Sequence, residues 1–283
     1  MFTKPNNNHF YLNCRGQLLS LAQPKVMGIL NLTPDSFFDG GQYTQKAHYL
    51  AQTEKMLAEG ADMIDVGAAS TRPGADLLTA EQEIQRLLPA LEAIKKEFPK
   101  AVISVDTFQS SVAHAALECG ADIINDISAG FLDEAMMHVV AQHKVPYIMM
   151  HMRGNPQTMA ALTTYDDLLK EMNIYFAERI QKARSLGIND LVIDPGFGFA
   201  KTAQQNFEIL QKLELFNFHE LPILAGLSRK SMIYKTLNVS PEDSLTGTIA
   251  LNMTALQKGA KILRVHDVKP AVQTVSLFAQ MEM

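Results

Sequence analysis

The sequence predicts a single (β/α)8 barrel, and three observations carry that expectation. Eight short apolar runs recur along the 283-residue chain, at residues 25–30, 63–66, 102–106, 123–126, 146–151, 191–194, 223–226 and 262–265. Each has strand length and little alternation, as strands covered on both faces do. Between them lie amphipathic stretches with helical spacing, clearest at residues 80–98, 165–186 and 202–213. Nearly every run also ends in a polar or charged group, at the position where barrels of this kind carry active sites. Counting strands does not prove closure, so a doubly wound open sheet stands as the alternative.

Taken in order, the first two dozen residues fall outside the alternation. "FYLNCRGQLLSL" reads as two short strands around Arg15-Gly16, a hairpin suited to closing the barrel floor. Residues 1–24 are therefore expected to be an N-terminal extension and residues 25–283 the barrel itself. The second and fourth runs follow Gly-Ala-Asp, at 60–62 and 120–122, where the glycine suits a helix C-terminus. The last helices, expected at 244–258 and 269–283, carry enough apolar residues to bury a partner face.

Composition narrows the function classes. Hydrophobic residues make up 47%, the net charge is −5 with both signs mixed, and the pI is near 5.9. No basic footprint for nucleic acid follows from that balance. No stretch of about eighteen apolar residues occurs, so no membrane span is expected, and the N-terminus lacks the apolar core of a signal peptide. Cys14 and Cys119 are far apart and without metal spacing, which suits structural thiols in a reduced, cytoplasmic setting. The 15 methionines fall within apolar runs and helices and read as packing. His9, His48, His114, His138, His143 and His219 read as surface or helix residues.

The strand ends carry the chemistry. The first run ends at Asn31 and opens into "NLTPDSFFDGG", polar, glycine-rich and aromatic at once. The second gives Asp65 and "GAASTRPGA", the third Asp106, and the fourth Asn125 and Asp126. The fifth leads into "MHMRGNP", the sixth into "DPGFGFAKT", the seventh into "GLSRKS" and the eighth into "RVHDV". A charge at the rim of a buried strand needs a partner or a ligand. Carboxylates and amides on one side suit a flat heterocycle rich in N–H donors, because a carboxylate accepts two parallel N–H bonds. Arg72, Arg229, Lys230, Arg264 and His266 suit an anion, and loops seven and eight are the usual phosphate site of such barrels. Single residues also have plainer readings. Asp65 and Asp126 suit supporting roles, Arg229 a surface ion pair, and His151 and Arg153 either loop order or function.

In sequence order, "MGILNLTPDSFFDGG", "DVGAASTRPGA", "SVDTF", "INDIS", "DPGFGFAKT", "GLSRKSMI" and "RVHDV" closely resemble dihydropteroate synthase, from residue 27 to 268. The resemblance implies condensation of 6-hydroxymethyl-7,8-dihydropterin pyrophosphate with p-aminobenzoate, releasing pyrophosphate and 7,8-dihydropteroate for folate biosynthesis. It implies pterin contacts from Asp106, Asn125, Asp194 and Lys230, and pyrophosphate contacts from Asn31, Thr71, Arg264 and His266. Mg2+ would be the cofactor, with Asn31 as its ligand. Phe37, Arg72, Pro73 and Ser231 match residues that shape the p-aminobenzoate site. Asp39, Arg72, Lys230, Arg264 and His266 are the residues expected to act in the chemistry. A homodimer is implied, and sulfonamides, as analogues of p-aminobenzoate, are implied inhibitors. One departure is visible: family members often read Gly-Glu-Ser-Thr-Arg where this chain has Ala68-Ala69-Ser70-Thr71-Arg72.

The expected chemistry is dissociative substitution. An aniline nitrogen is neutral at pH 7 and needs no strong base, so the barrier lies in C–O cleavage at the pterin methylene. The first loop then acts as a lid that keeps water from the cation. Its glycines Gly40 and Gly41 permit movement, Phe37 and Phe38 wall the benzene ring, and Asp39 faces the cation. Two other functions remain on the residues alone: a pterin-dependent methyltransferase partner and a non-catalytic pterin-binding protein.

Overall fold

The structure, a computed structural model, describes residues 10–32, 42–69 and 78–281. Its first elements are β1 (Tyr11–Cys14) and β2 (Gln17–Ser20), paired antiparallel with Cys14 opposite Gln17. The two-residue loop between them has positive φ at both Arg15 (53°) and Gly16 (93°), the twist that suits a tight hairpin. Asn13 Oδ1 accepts from the Gly16 N–H at 2.7 Å and fixes that turn.

Eight parallel strands follow: β3 (Lys25–Asn31), β4 (Met63–Gly67), β5 (Val102–Asp106), β6 (Ile123–Asp126), β7 (Tyr147–Met150), β8 (Leu191–Asp194), β9 (Ile223–Ala225) and β10 (Ala260–Val265). They form a closed barrel in which β10 pairs with β3, Ile262 opposite Lys25 and Val265 opposite Gly28. Closure removes the sheet edges and decides against an open doubly wound sheet. Helices α1 (Gln42–Ala58), α2 (Ala80–Glu97), α3 (Ser110–Glu118), α4 (Met136–His143), α5 (Leu168–Ser185), α6 (Ala203–Gln211), α7 (Ser231–Leu237), α8 (Leu245–Gln257) and α9 (Val268–Met281) connect and surround them. No described helix is long and apolar enough to cross a membrane.

Local chemistry sets the helix starts. Thr79 and Thr202 each close a capping box, with Gln82 and Gln205, so α2 begins at Ala80, as expected, and α6 at Ala203, one residue later than periodicity placed it. Asp167 accepts from the Lys170 N–H, so α5 starts after it rather than at Tyr165.

Side chains alternate across each strand, and the alternation sorts the core into two layers. Met27, Met63, Val102, Ile123, Ile148, Val192, Leu224 and Ile262 meet inside the barrel and pack against Leu12, Cys14 and Leu21 beside the hairpin. The hairpin therefore plugs the amino-terminal end, as its sequence suggested, and Asn13 N–H is held there by Asp190 Oδ2 at 3.0 Å. The intervening residues, among them Val26, Ile64, Ile103, Ile124, Tyr147 and Ile193, face outward into the helix layer. Leu12 is 1% exposed, and burying such a side chain stabilises by about 2 kcal/mol.

Candidate active site

Following the inward alternation toward the carboxyl end of each strand leads from the apolar floor to the site. The positions two or four residues beyond that floor are Asn31, Asp65, Asp106, Asn125, Met150, Asp194, Gly226 and Arg264. The cleft they form is lined by Asp106, Asn125, Met150, Asp194, Lys230 and Arg264, with Ile127, Phe197 and Phe199 as its apolar wall. A flat ring with polar edges matches that mixture of walls.

Arg264 organises one side. Its Nε donates to Asp65 Oδ2 and its Nη2 to Asp106 Oδ2, both at 2.6 Å, and Asn125 Nδ2 donates to the same Asp65 oxygen at 3.0 Å. Asp65 is wholly buried, which gives it the supporting role read from the sequence. Asp106 Oδ1 is buried and has no hydrogen-bond partner among the described residues. Burial pushes the Asp106 carboxyl up to about 7, against the pull of the Arg264 guanidinium and with the push of Asp65, Glu83 and Asp126. Glu83, on α2, is itself buried and raised for the same reason, and it accepts from Gln109 Nε2 at 2.6 Å. Nothing in the sequence pattern marked Glu83, because a Glu in the first turn of a helix is ordinary.

Asp194 stands across the cleft. Its Oδ1 accepts from the Gly196 N–H at 2.7 Å, and burial raises its pKa against that bond and the charges of Lys230, Arg264 and Lys201. Gly196 has φ +69°, and a Cβ there would lie 2.3 Å from the His151 carbonyl oxygen, so this turn requires glycine. Lys230 Nζ lies 4.5 Å from the Phe199 ring centroid, and its stem passes 3.4 Å from the Cβ position of Gly198. Lys230 is thus drawn over the cleft by an aromatic face.

The β8–α6 loop is held from below by Lys201, which sequence reading passed over. Its Nζ is buried and donates to the carbonyls of His151, Gly196 and Phe199 at 3.3, 3.0 and 2.9 Å. Burial brings its pKa down to about 7. A Lys inside a glycine-rich apolar loop was the available signal, since burial demands such a cage of acceptors.

The remaining residues divide. Arg229 makes a bidentate pair with Asp267, at 3.0 and 2.7 Å, so its ion-pair reading is the one observed. His266 is held by its N–H to Ser228 Oγ at 3.2 Å, and burial together with Arg264 and Arg229 lowers its pKa to about 4, leaving a neutral imidazole. Ser231 opens α7 directly after Lys230. Asp126 lies on the outward alternation and is fully engaged by Ser128 N and Oγ, Gly130 N and Tyr147 Oη. Arg153 bonds Glu171 and the Thr164 carbonyl over the Tyr165 ring, and His151 packs edge-on against Tyr175 at 4.9 Å. Both order the loop after β7. Phe37, Phe38, Asp39, Gly40, Gly41, Thr71, Arg72 and Pro73 lie outside the described residues.

A closed parallel barrel with paired carboxylates, an amide and two cations at its carboxyl mouth defines an enzyme that grips a polar heterocycle. Residues 27–266 match the model of the pterin binding enzyme family. The dihydropteroate synthase of Escherichia coli K12 is 43% identical over 266 residues, 93% of this chain and 94% of its own. Among solved structures, the Xanthomonas albilineans dihydropteroate synthase with 4-aminobenzoic acid superposes with a TM-score of 0.90 at 38% identity, over 97% of this chain and 99% of that one. The Yersinia pestis dihydropteroate synthase with a sulfonamide drug gives 0.89 at 39%, over 96% and 98%. The chain belongs to the dihydropteroate synthases within the pterin-binding enzymes, and like them it is a transferase.

Proposed function

We propose that this transferase joins p-aminobenzoate to 6-hydroxymethyl-7,8-dihydropterin pyrophosphate. The amine nitrogen bonds the pterin methylene carbon as the C–O bond to pyrophosphate breaks, the surplus ammonium proton passes to solvent, and 7,8-dihydropteroate and pyrophosphate leave. The observation that carries this reading is the acceptor edge of Asp106, Asn125 and Asp194 around one cleft, with Asp106 Oδ1 buried and unpartnered among described residues. An N–H-rich pterin edge supplies the hydrogens those acceptors lack.

Bond cleavage runs ahead of attack, because the carboxylates that hold the pterin also favour positive charge on it. Lys230 packs over the ring. Arg264 and the neutral His266 face the departing pyrophosphate with hydrogen-bond donors, joined by Thr71. Phe37, Arg72, Pro73 and Ser231 are assigned to the p-aminobenzoate side and Asp39 to the cation, with the first loop excluding water. Asn31 fits the part of a Mg2+ ligand. It lies at the carboxyl end of β3 and offers an amide oxygen, a hard donor of the kind Mg2+ takes. Mg2+ held there would keep most of its sites for water and phosphate and would supply charge neutralisation at the pyrophosphate.

Residues Ile249 on α8 and Leu277 and Met281 on α9 are exposed, at 37, 63 and 60%, and these packed helices are the proposed homodimer face in a cytoplasmic enzyme. Sulfonamides are proposed to occupy the p-aminobenzoate side, a reading supported by the Yersinia pestis relative's complex with such a drug.

The test is pyrophosphate release by purified protein with the pterin pyrophosphate and Mg2+, with and without p-aminobenzoate. Release that depends on p-aminobenzoate, with equimolar dihydropteroate, is expected. Pterin binding without release would favour a binding protein or a methyltransferase partner. A large carbon isotope effect at the methylene is expected for dissociative cleavage, and a value typical of concerted displacement would refute that order of events.

A further inference from the structure

Among the described residues, one group of three metal-ligating side chains converges outside the site above: His114 and Glu118 on α3, and His143 at the end of α4. Helices of a (β/α)8 barrel run against their strands, so both helix C-termini lie at the amino-terminal end, away from the catalytic mouth. The plugging hairpin reaches the same place, where Arg15 Nη1 donates to the Leu117 carbonyl at 3.1 Å.

The spacing of the donor atoms is that of a coordination shell. His114 Nδ1 and His143 Nε2 are 3.2 Å apart, His143 Nε2 and Glu118 Oε1 3.6 Å apart, and all three atoms lie within 4.8 Å of one another. Zinc bonds of about 2.0–2.1 Å in a tetrahedron place neighbouring donor atoms about 3.3 Å apart. A single hydrogen bond between two neutral imidazoles explains the first distance. Glu118 adds an ion-pair contact to the same Nε2 at 3.6 Å, so one nitrogen is met by two ligand-type atoms from a neighbouring helix. The rings stand at 62° with centroids 5.3 Å apart, an edge-on arrangement that lets their nitrogens face one point.

Rigidity is graded in the way a surface site needs. The His143 side chain is 11% exposed and held by packing, while Glu118 is 66% exposed and can swing onto an ion. His114 and Glu118 are four residues apart on one helix, so they share a face by construction.

We propose that His114, Glu118 and His143 bind a zinc-class divalent ion, with water in the fourth position, and thereby brace α3 against α4 beneath the barrel. Imidazole donors select Zn2+, Co2+, Ni2+ or Cu2+ over Mg2+, so the site is chemically separate from one at Asn31.

The test uses full-length, tag-free protein stripped with chelator. Calorimetric titration with ZnCl2 is expected to show one ion per chain, with a rise in Tm that MgCl2 does not reproduce. Added Co2+ is expected to give the intense visible band of tetrahedral coordination. His114→Gln and Glu118→Gln sit on the exposed side, so they are expected to fold with unchanged Mg2+-dependent synthase activity while Zn2+ affinity falls at least about 10-fold. His143→Gln is expected to remove binding altogether. Absence of Zn2+ binding, or equal affinity in His114→Gln and wild type, would overturn the proposal.

Discussion

Arg264→Met should expose how the site stores its charge. The substitution keeps much of the side-chain volume and removes the guanidinium from between Asp65 and Asp106, both of which it contacts at 2.6 Å. Removing one partner of a buried ion pair costs about 3–5 kcal/mol. The pH dependence of that loss is the sharper expectation. Asp106 has a folded-state pKa near 7, above the unfolded value of about 3.9. Its protonation therefore adds stability that is fully present below the unfolded pKa and is lost as pH rises through the folded one. Between pH 6 and 8 the folded wild type carries on average about half a proton on Asp106, and the unfolded chain carries almost none. Without Arg264 the folded-state pKa climbs further and the variant carries close to one proton throughout. Half a proton over two pH units, at 1.36 kcal/mol per proton per unit, widens the stability gap by something on the order of 1 kcal/mol between pH 6 and pH 8. Urea unfolding of both proteins at pH 6, 7 and 8 measures that gap. Placing Asp106→Asn in both backgrounds should abolish the widening. A gap that stays constant with pH would refute the assignment of Arg264 as the charge that holds Asp106.

Three further outcomes follow, two from the same geometry and the last from the family resemblance. Gly196→Ala should lose stability and weaken pterin binding together, since a Cβ would meet the His151 carbonyl at 2.3 Å and the Gly196 N–H orients Asp194; thermal unfolding and pterin titration read the two effects. Lys201→Met should cost about 2 kcal/mol or more by leaving the His151 and Phe199 carbonyls without this donor, and it should flatten the pH profile. Because the Lys201 pKa is lowered by folding to about 7, its contribution to stability grows from pH 7 toward its unfolded value near 10.4 and is lost as pH falls, and urea midpoints at pH 7 and 9 compare the slopes. Phe37→Ala should chiefly raise the p-aminobenzoate KM in steady-state assays, and an unchanged KM would move the aromatic wall elsewhere.

The barrel was legible because its signals are periodic and repeated. Eight apolar runs of strand length alternating with helical stretches point to a parallel α/β fold, though only the β10–β3 pairing decides for a closed barrel over an open sheet, and the hairpin announced itself through Arg15-Gly16. Helix ends were less legible, because Asp167 and Thr202 fix the starts of α5 and α6 through individual side-chain bonds that periodicity does not weigh. Within the site, Asn125 and Asp126 show what was readable and what was not. The two are adjacent in "INDIS", and both are buried. Only alternation separates them: Ile123 faces the barrel interior, so Asn125 does too, while Asp126 points outward to Tyr147. Counting by twos from each strand's apolar floor would have found Asp65, Asp106, Asn125, Asp194 and Arg264 without any family knowledge. Lys201 and Glu83 were beyond that rule, since they reach the site's periphery from a loop and a helix.

The same alternation explains why the barrel tolerates so much charge at its mouth. A layer of apolar side chains and the hairpin plug close the interior below, so water reaches these carboxylates only from the catalytic side. Desolvation from below raises Asp106 and Asp194; the Arg264 guanidinium opposes it at the first, and at the second the Gly196 N–H leads, with Lys230, Arg264 and Lys201 behind it. Each carboxylate therefore has one oxygen committed to the protein, and for Asp106 the other is without a protein partner among the described residues. Such a site gains most when a ligand brings paired N–H groups and, later, positive charge. A barrel with those acceptors fully satisfied would be more stable and a poorer catalyst.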